Sequence, residues 1–270
     1  IYGGSGNDRI EAGEENSIGD SDTIYGGDGD DTITSAETDH RADDQIYGEA
    51  GDDSISVAGG DSFLSGGSGE DTIRGGIGDD TMEGGADADT FIIEDGFGSD
   101  VITGGEGTTD AGDQDFDTID LSALTGAVTV TYTGDEAGTI TDGAGNTITF
   151  TEIERSILTD QADVVDGRAD SQGLSIDAGA GDDTIDGGDG SDTIQGGAGT
   201  DRIDGRAGND SLNGGEDGDY VDGGSGDDTV EGGVGDDTLE GSGGADSVSG
   251  GTGNDYIVGY NASGMDAGNP

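Results

Sequence analysis

Aspartates recur at every ninth residue in the C-terminal third of this 270-residue chain. Each stands sixth in a repeat G-G-x-G-x-D-x-U-x, where U is a large aliphatic residue. Ca²⁺ is bound by carboxylate and backbone carbonyl oxygens, whereas Mg²⁺ keeps its waters and demands a rigid octahedron. The spacing therefore indicates a regular array of calcium sites. The aspartates are Asp183, Asp192, Asp201, Asp210, Asp219, Asp228, Asp237, Asp246 and Asp255.

The period of the repeat also indicates the fold that must position these acids. The glycines early in each repeat permit a tight turn, and the last three residues are strand-like. Two repeats make one coil, and stacked coils bury their U residues between two parallel sheets. Because parallel crossovers favour one hand, we predict an all-β, right-handed parallel β-roll, a form of β-solenoid.

Aspartates that lie two repeats apart are predicted to share one edge of the roll. Asp183, Asp201, Asp219, Asp237 and Asp255 fall on one edge, and the other four fall on the opposite edge. Successive carboxylates would then be about 4.8 Å apart, and they would repel each other strongly without a cation. One calcium between each successive pair of loops gives seven sites. We expect the calcium-free chain to be largely disordered and to fold when calcium binds.

The N-terminal block follows the same pattern with interruptions. Five residues are inserted after Asp8 and four after Asp31, both on the edge where Ser62 replaces an aspartate. We expect continuous calcium on the uninterrupted edge and little metal on the other. The predicted N-terminal ligands are Asp8, Asp31, Asp53, Asp71, Asp80 and Asp89. Across both blocks, we expect roughly 10–14 calcium ions.

The two inserted loops, Glu14–Gly19 and Ser35–Asp43, have two interpretations. Loops tolerate insertions because they run over the surface, and they also carry binding functions. They are either tolerated insertions in solvent or a contact face for a partner. His40, in the second loop, is interpreted as a solvated histidine, with a transition-metal ligand as the alternative.

The central segment, residues 104–160, breaks the repeat and is rich in β-branched residues. Strands are predicted at Phe116–Leu124, Ala127–Thr133, Gly138–Thr141 and Asn146–Leu158, forming either wider coils or a small β-sandwich. The predicted division is a repeat block at 1–103, this segment, a second block at 161–258 and a tail at 259–270.

Alternating acids at Asp113, Asp115 and Asp117 are similar to the start of an EF-hand loop. An EF-hand also needs glycine at its sixth position and glutamate at its twelfth, and both are missing here. We therefore reject that motif, while a further loop-borne calcium stays open.

Runs such as Gly187-Gly188-Asp189-Gly190-Ser191-Asp192-Thr193-Ile194 resemble the RTX (repeats-in-toxin) family of bacterial proteins. The resemblance covers most of residues 1–103 and 161–258. It implies a calcium-bound parallel β-roll, export through a type I secretion channel in unfolded form, and folding outside the cell. The run from Asp117 to Leu124, followed by Thr149–Glu154, is similar to a segment that recurs between such blocks in secreted proteins of marine bacteria.

Composition excludes several classes of function. The formal charge is −57, and all seven positive residues are arginine, which excludes nucleic acid as a partner. Anionic membranes would be repelled unless calcium bridged them. No apolar stretch approaches the length of a membrane span, and the absence of cysteine excludes a disulfide scaffold.

No catalytic motif is evident in the sequence. His40 is the only histidine, which excludes an H-E-x-x-H zinc site, and no G-x-S-x-G elbow occurs. We therefore expect no enzyme activity from these residues. Tyr2, Tyr25 and Tyr47 end equivalent strands and are expected to point outward, either as a stripe that stacks on sugars or through ordinary strand propensity. A surface polysaccharide is thus kept as a candidate partner.

Two functional classes remain after these exclusions. The first is a calcium-stiffened extracellular rod in an adhesin, surface layer, matrix or filament, with self-association end to end or edge to edge. The second is a secretion and folding module of a larger secreted enzyme or toxin. A generic acidic calcium buffer is a third interpretation. Because Ile1-Tyr2 are the last letters of a repeat, we expect the chain to come from a longer or processed product.

Overall fold

The computed structural model describes residues 1–12, 21–35, 43–105 and 116–258. The regular structure in these ranges consists of short β-strands, with no helix. By internal contacts the chain divides into two compact units. Unit 1 contains Ile1–Leu124 and Ala144–Arg155, and unit 2 contains Thr125–Gly143 and Ser156–Pro270. The predicted domain limits at residues 103 and 160 stay a prediction.

The strands of unit 1 alternate between two sheets, as a coil of two repeats requires. They are β1 Tyr2–Ser5, β2 Arg9–Ala12, β3 Thr23–Asp28, β4 Thr32–Ser35, β5 Gln45–Ala50, β6 Ser54–Val57, β7 Phe63–Ser68, β8 Thr72–Arg74, β9 Thr81–Ala86, β10 Thr90–Ile92, β11 Ser99–Thr103, β12 Thr118–Asp120 and, later in the chain, β15 Thr147–Thr151.

The strands of unit 2 follow the same alternation. They are β13 Val128–Gly134, β14 Ala137–Asp142, β17 Val164–Asp166, β18 Ser175–Asp177, β19 Thr184–Asp186, β20 Thr193–Ala198, β21 Arg202–Asp204, β22 Ser211–Glu216, β23 Tyr220–Asp222, β24 Thr229–Val234, β25 Thr238–Glu240, β26 Ser247–Thr252 and β27 Tyr256–Val258. Strand β16, Arg155–Ile157, falls at the division of the chain between the two units.

Both sheets of unit 1 are parallel. Their orders are β1-β3-β5-β7-β9-β11-β15 and β2-β4-β6-β8-β10-β12. Ile10, Ile33 and Ile55 are in register on successive strands, so the coils align across both insertions. The parallel β-roll predicted from the period is therefore confirmed for this unit, while its handedness stays a prediction.

Unit 2 repeats this arrangement with sheet orders β14-β13-β17-β19-β21-β23-β25-β27 and β18-β20-β22-β24-β26. Ile185, Ile203, Val221 and Leu239 pair in parallel at intervals of two repeats. The exception is β13 and β14, which form an antiparallel hairpin. Because β13 also pairs in parallel with β17, the central segment joins the sheet of the roll.

The hydrophobic core lies between the two sheets of each unit. Most strands send a middle apolar residue inward, and the side chains that do so between Ile10 and Leu239 are at most 7% exposed. Unit 1 also buries the larger rings of Phe91, Phe97 and Phe150. The alternation within the short strands therefore positions every loop, because one inward residue fixes the direction of its two neighbours.

Candidate metal centre

A hydrogen-bonded ladder of aspartates runs along each edge of unit 2. The backbone N–H of Asp183 donates to Oδ1 of Asp201 at 2.9 Å, and Asp201 donates in turn to Asp219 at 2.8 Å. On the other edge, Asp192 donates to Asp210 at 2.9 Å. The ladders continue through Asp237 to Asp255 and through Asp228 to Asp246. The two edges thus contain the aspartates that the period of two repeats assigned to them.

The uninterrupted edge of unit 1, which we call its first edge, carries the same ladder. Asp8, Asp31, Asp53 and Asp71 each donate a hydrogen bond of 2.7 Å to Oδ1 of the next aspartate, the last of which is Asp89. Each of these bonds joins two successive coils. All five predicted ligands of the first edge are therefore aligned.

The ladder of the first edge continues beyond the repeats that the sequence identified. Asp89 donates to Oδ1 of Asp117 at 2.8 Å, and Asp117 donates to Oε2 of Glu154 at 2.6 Å. In the sequence, Asp117 falls in the EF-hand-like run and outside the repeats that define the edge. The signal was present, because Asp117-Thr118-Ile119 repeats the letters of Asp71-Thr72-Ile73.

In twelve of the predicted ligands, the second carboxylate oxygen, Oδ2, lacks a hydrogen-bond donor within the described residues. Oδ2 is buried in each case, although a buried carboxylate oxygen normally requires a donor or a cation. This holds on the two edges of unit 2 as far as Asp228 and Asp237, on the first edge of unit 1 from Asp8 to Asp71, and at both Asp44 and Asp80 on its other edge. The predicted ligands concerned are Asp8, Asp31, Asp53, Asp71, Asp80, Asp183, Asp192, Asp201, Asp210, Asp219, Asp228 and Asp237.

Carbonyl oxygens of the glycine loops converge on the same places. A Cβ built on Gly48 would lie 2.2 Å from Oδ2 of Asp53 and 2.5 Å from the carbonyl oxygen of Gly66 on the next coil. In unit 2, a Cβ on Gly214 would lie 2.3 Å from Oδ2 of Asp219 and 2.7 Å from the carbonyl oxygen of Gly232. At each of these glycines, a carboxylate oxygen and a carbonyl oxygen therefore lie around a position that a Cβ would otherwise fill. The oxygens fit a hard cation with ligands at about 2.3–2.6 Å.

Burial makes these carboxylates costly to ionise without a cation. Desolvation, opposed by the backbone N–H bond and assisted by neighbouring carboxylates, raises the pKa of Asp71, Asp183 and Asp219 to about 7. The same cause raises the pKa of Asp192 to about 7 and that of Asp210 to about 6. A dication at these oxygens would reverse the shift, because opposite charge favours the ionised form.

A second, exposed ladder runs one residue before the buried one. Oδ1 of Asp52 accepts from the N–H of Glu70 at 3.0 Å, and Oδ1 of Asp227 accepts from the N–H of Ala245 at 2.9 Å. Asn209 and Ser191 accept the equivalent backbone hydrogen bonds at other positions of this ladder. Because neutral side chains serve equally, this ladder stabilises turns and does not need a carboxylate. The sequence reasoning did not identify it.

Side chains alone do not complete a metal site in this fold. Among the described residues, no three His, Cys, Asp or Glu side chains cluster closely enough to hold an ion. Carbonyl oxygens must therefore supply most ligands, as Ca²⁺ accepts and as its flexible coordination allows. The donor set of carboxylate plus loop carbonyl fits calcium.

The sequence profile described as RTX calcium-binding nonapeptide repeat (4 copies) matches more than half of the chain. The matched residues are 1–18, 19–37, 40–64, 58–91, 92–108, 175–203, 195–230 and 231–261. The chain belongs to this RTX family. RTX nonapeptide repeats bind multiple Ca²⁺ ions, and they occur in secreted proteins. No curated protein matches this RTX chain.

Several predicted features lie outside the described residues. His40, Asp113, Asp115, most of both inserted loops and the tail at 259–270 belong to this group. Asp246 and Asp255 are described, and each accepts the ladder bond of its edge at 3.2 Å. No helix in the described ranges has the length and apolar character needed to cross a membrane.

The outward tyrosines of unit 1 stack on one another. Tyr2 and Tyr25 have ring centroids 4.8 Å apart, and Tyr25 and Tyr47 have centroids 5.0 Å apart, with nearly parallel planes. The ring faces of Tyr25 are thus covered by its two neighbours. Phe63 lies against Tyr47 at the other end, so the open ring face of the stripe is that of Tyr2, which is 79% exposed.

Proposed function

We propose that calcium ions bind between successive coils, each held by the paired aspartate carboxylates and by carbonyls of the glycine loops. The proposed ligands are the predicted aspartates of the first edge of unit 1 and of both edges of unit 2, except Asp183, which has Ala178 five residues before it where the others have a glycine. What supports this is the convergence of a donorless Oδ2 with a loop carbonyl, as at Asp53 and Gly66. The bound calcium supplies the positive charge that lets neighbouring carboxylates remain ionised.

We further propose that calcium binding drives folding outside the cell and produces a stiff structural module. The role is that of an extracellular or cell-surface protein, such as an adhesin, surface-layer, matrix or filament component. A chain of charge −57 with 28% hydrophobic residues falls in the compositional range of disordered proteins in the absence of a ligand. A high-calcium environment would convert it into stacked coils, whereas a low-calcium cytosol would leave it unfolded for export.

Circular dichroism with metal analysis tests the folding part of this proposal. Chelated protein should give a disordered far-ultraviolet spectrum, and millimolar calcium should convert it to a β spectrum with several ions bound per chain. Matched magnesium should produce little change. An identical β spectrum without metal would refute the proposal.

Electron microscopy in calcium separates the structural role from the alternative. Fibres, sheets or other regular assemblies support a matrix or filament component. Dispersed single particles would instead favour a folding module that serves a separate functional domain.

A further inference from the structure

The second edge of unit 1, which carries Asp22, Asp44, Ser62, Asp80 and Asp100, is built differently from the first. Its ladder is complete, because Asp44 donates to Oγ of Ser62 at 3.2 Å and Ser62 donates to Oδ1 of Asp80 at 2.8 Å. The difference lies in the residue that directly follows each x-U-x strand, which we call the loop-leading residue. On the first edge, every loop-leading residue is a glycine: Gly3, Gly26, Gly48, Gly66, Gly84 and Gly104.

On the second edge, the loop-leading residues carry side chains, with one exception. They are Ala12, Ser35, Val57, Gly75, Ile93 and Leu121. Ala12, Ser35 and Val57 pair in parallel register, so they form one row across three coils. Exposure falls between 0% and 5% for all five residues that carry a side chain. The row is a mainly apolar seam.

The geometry of the glycines shows what these side chains replace. A Cβ built on Gly75 would lie 2.5 Å from Oδ2 of Asp80, and the same contact recurs at Gly26 and Gly48 with Asp31 and Asp53. A loop-leading Cβ therefore occupies the place where an aspartate Oδ2 meets the loop carbonyls. The chain adapts at Val57, because the residue five places later is Ser62, whose shorter side chain leaves room.

A shared calcium needs the glycine and the aspartate on two successive coils. One coil of the second edge has the pair, as Gly75 and Asp80. The coil before it has Val57 and Ser62 at these positions, and in the coil after it the loop-leading residue is Ile93. No two successive coils of the second edge therefore have the pair within the described residues. The residues of this edge do not fit the array of calcium ions that the RTX repeat implies.

We propose that this apolar seam replaces calcium on the second edge of unit 1, so that unit 1 keeps its fold at calcium concentrations too low for unit 2. The inference rests on the proposed function, in which glycine and aspartate pairs hold the ions. Buried aliphatic groups stabilise the coils at any calcium concentration, whereas unit 2 has such pairs on both edges. Asp80 would then share no ion with a neighbouring coil.

Hydrogen exchange of the intact chain, followed by mass spectrometry across a calcium titration, tests the order of folding. Peptides that contain β4 and β6 report unit 1, and peptides that contain β22 and β24 report unit 2. Protection should appear at lower calcium in the unit 1 peptides. Equal calcium midpoints for the two units, or protection of unit 2 at lower calcium than unit 1, would overturn the proposal. If no peptide responds to calcium, the proposed function itself fails.

A repeat-restoring variant tests the same inference through metal content. Val57→Gly combined with Ser62→Asp places the pair on two successive coils, together with Gly75 and Asp80. Native mass spectrometry should show a gain of about one calcium ion per chain, and unit 1 protection should shift to higher calcium. Val57→Gly alone is the control, which should lose protection without gaining an ion. Unchanged metal content in a double variant whose β4 and β6 peptides are still protected at saturating calcium would contradict the proposal.

Discussion

The backbone N–H of Asp201 donates a 2.8 Å hydrogen bond to Oδ1 of Asp219, while Oδ2 of the same carboxylate is buried without a donor in the described structure. One oxygen therefore joins two coils directly. The other lies with the carbonyl oxygen of Gly232 around the position that a Cβ on Gly214 would fill, and it requires a donor or a cation. The roles of the two oxygens can be tested separately. An amide oxygen can accept the hydrogen bond that Oδ1 accepts, but an amide cannot supply the negative charge that Oδ2 offers to a cation.

Asp219→Asn should weaken calcium binding and raise the calcium concentration at which unit 2 folds. The amide keeps an acceptor for the N–H of Asp201 but removes the anionic ligand. At calcium a hundred times Kd, each lost ion removes about 2.7 kcal/mol of stabilisation. Calcium titration followed by circular dichroism measures the shift.

Asp227→Asn is the matched control, since Asp227 is exposed and belongs to the second ladder. Its amide oxygen can still accept from the N–H of Ala245, and Asn209 already fills the equivalent place one coil earlier. Equal shifts in both variants would show that net charge, and not the buried oxygen, sets the calcium requirement.

Acidification should have opposite effects on calcium-free and calcium-bound protein. The folded-state pKa of Asp71, Asp183 and Asp219 is raised to about 7, above the value of about 3.9 for an unfolded aspartate. Protonation therefore favours the metal-free fold, an effect complete below the unfolded value and lost as pH rises through 7. Metal-stripped protein should gain β structure between pH 8 and pH 5.

In the presence of limiting calcium, the same acidification should release the metal, because protons compete for the carboxylates. Circular dichroism and a calcium electrode follow the two processes in parallel. A metal-free spectrum that stays disordered down to pH 5 would show that these carboxylates are not buried in the metal-free chain.

The period of the sequence was sufficient to predict most of the fold. A residue such as Ile203 lands on Ile185 because both sheets are parallel and each coil consists of two repeats. The same period predicted which aspartates share an edge. The prediction holds across the two insertions because the strands on either side of them stay in register. Ser62 was predicted to stand in an aspartate position, and its Oγ accepts the ladder bond.

The parts that could not be predicted depend on contacts distant in sequence. Asp117 lies 28 residues after Asp89, so no fixed period connects the two, and Glu154 reaches this edge from another loop. Val57 and Ile93 look like continued strands in the sequence. Their place beside the ladder follows from Gly75, the equivalent residue of another coil, whose Cβ position lies 2.5 Å from Oδ2 of Asp80.

Gly48→Ala should reduce calcium binding on the first edge of unit 1. Its Cβ would lie 2.2 Å from Oδ2 of Asp53 and 2.5 Å from a backbone carbonyl, so the loop must move. Gly143→Ala is the control, because a Cβ there meets nothing within 4 Å. Isothermal calorimetry should show fewer ions or weaker binding for Gly48→Ala only. Two indistinguishable isotherms would mean that the loop carbonyls do not bind metal.

Leu239→Ala should destabilise the calcium-bound protein by about 2–5 kcal/mol, since the side chain is fully buried between the sheets. Val234→Ala, at a side chain that is 57% exposed, should change stability by less than about 0.5 kcal/mol. Denaturant unfolding in saturating calcium compares them. Similar small changes would indicate that the ladders, and not the core, dominate the stability.

Anomalous diffraction from crystals grown with calcium is the most direct test of the bridging ions. The account predicts anomalous peaks beside Oδ2 of Asp201, Asp219 and Asp237, each also in contact with a glycine-loop carbonyl. Peaks confined to exposed carboxylates, or aspartate side chains turned towards solvent without any bound ion, would contradict it.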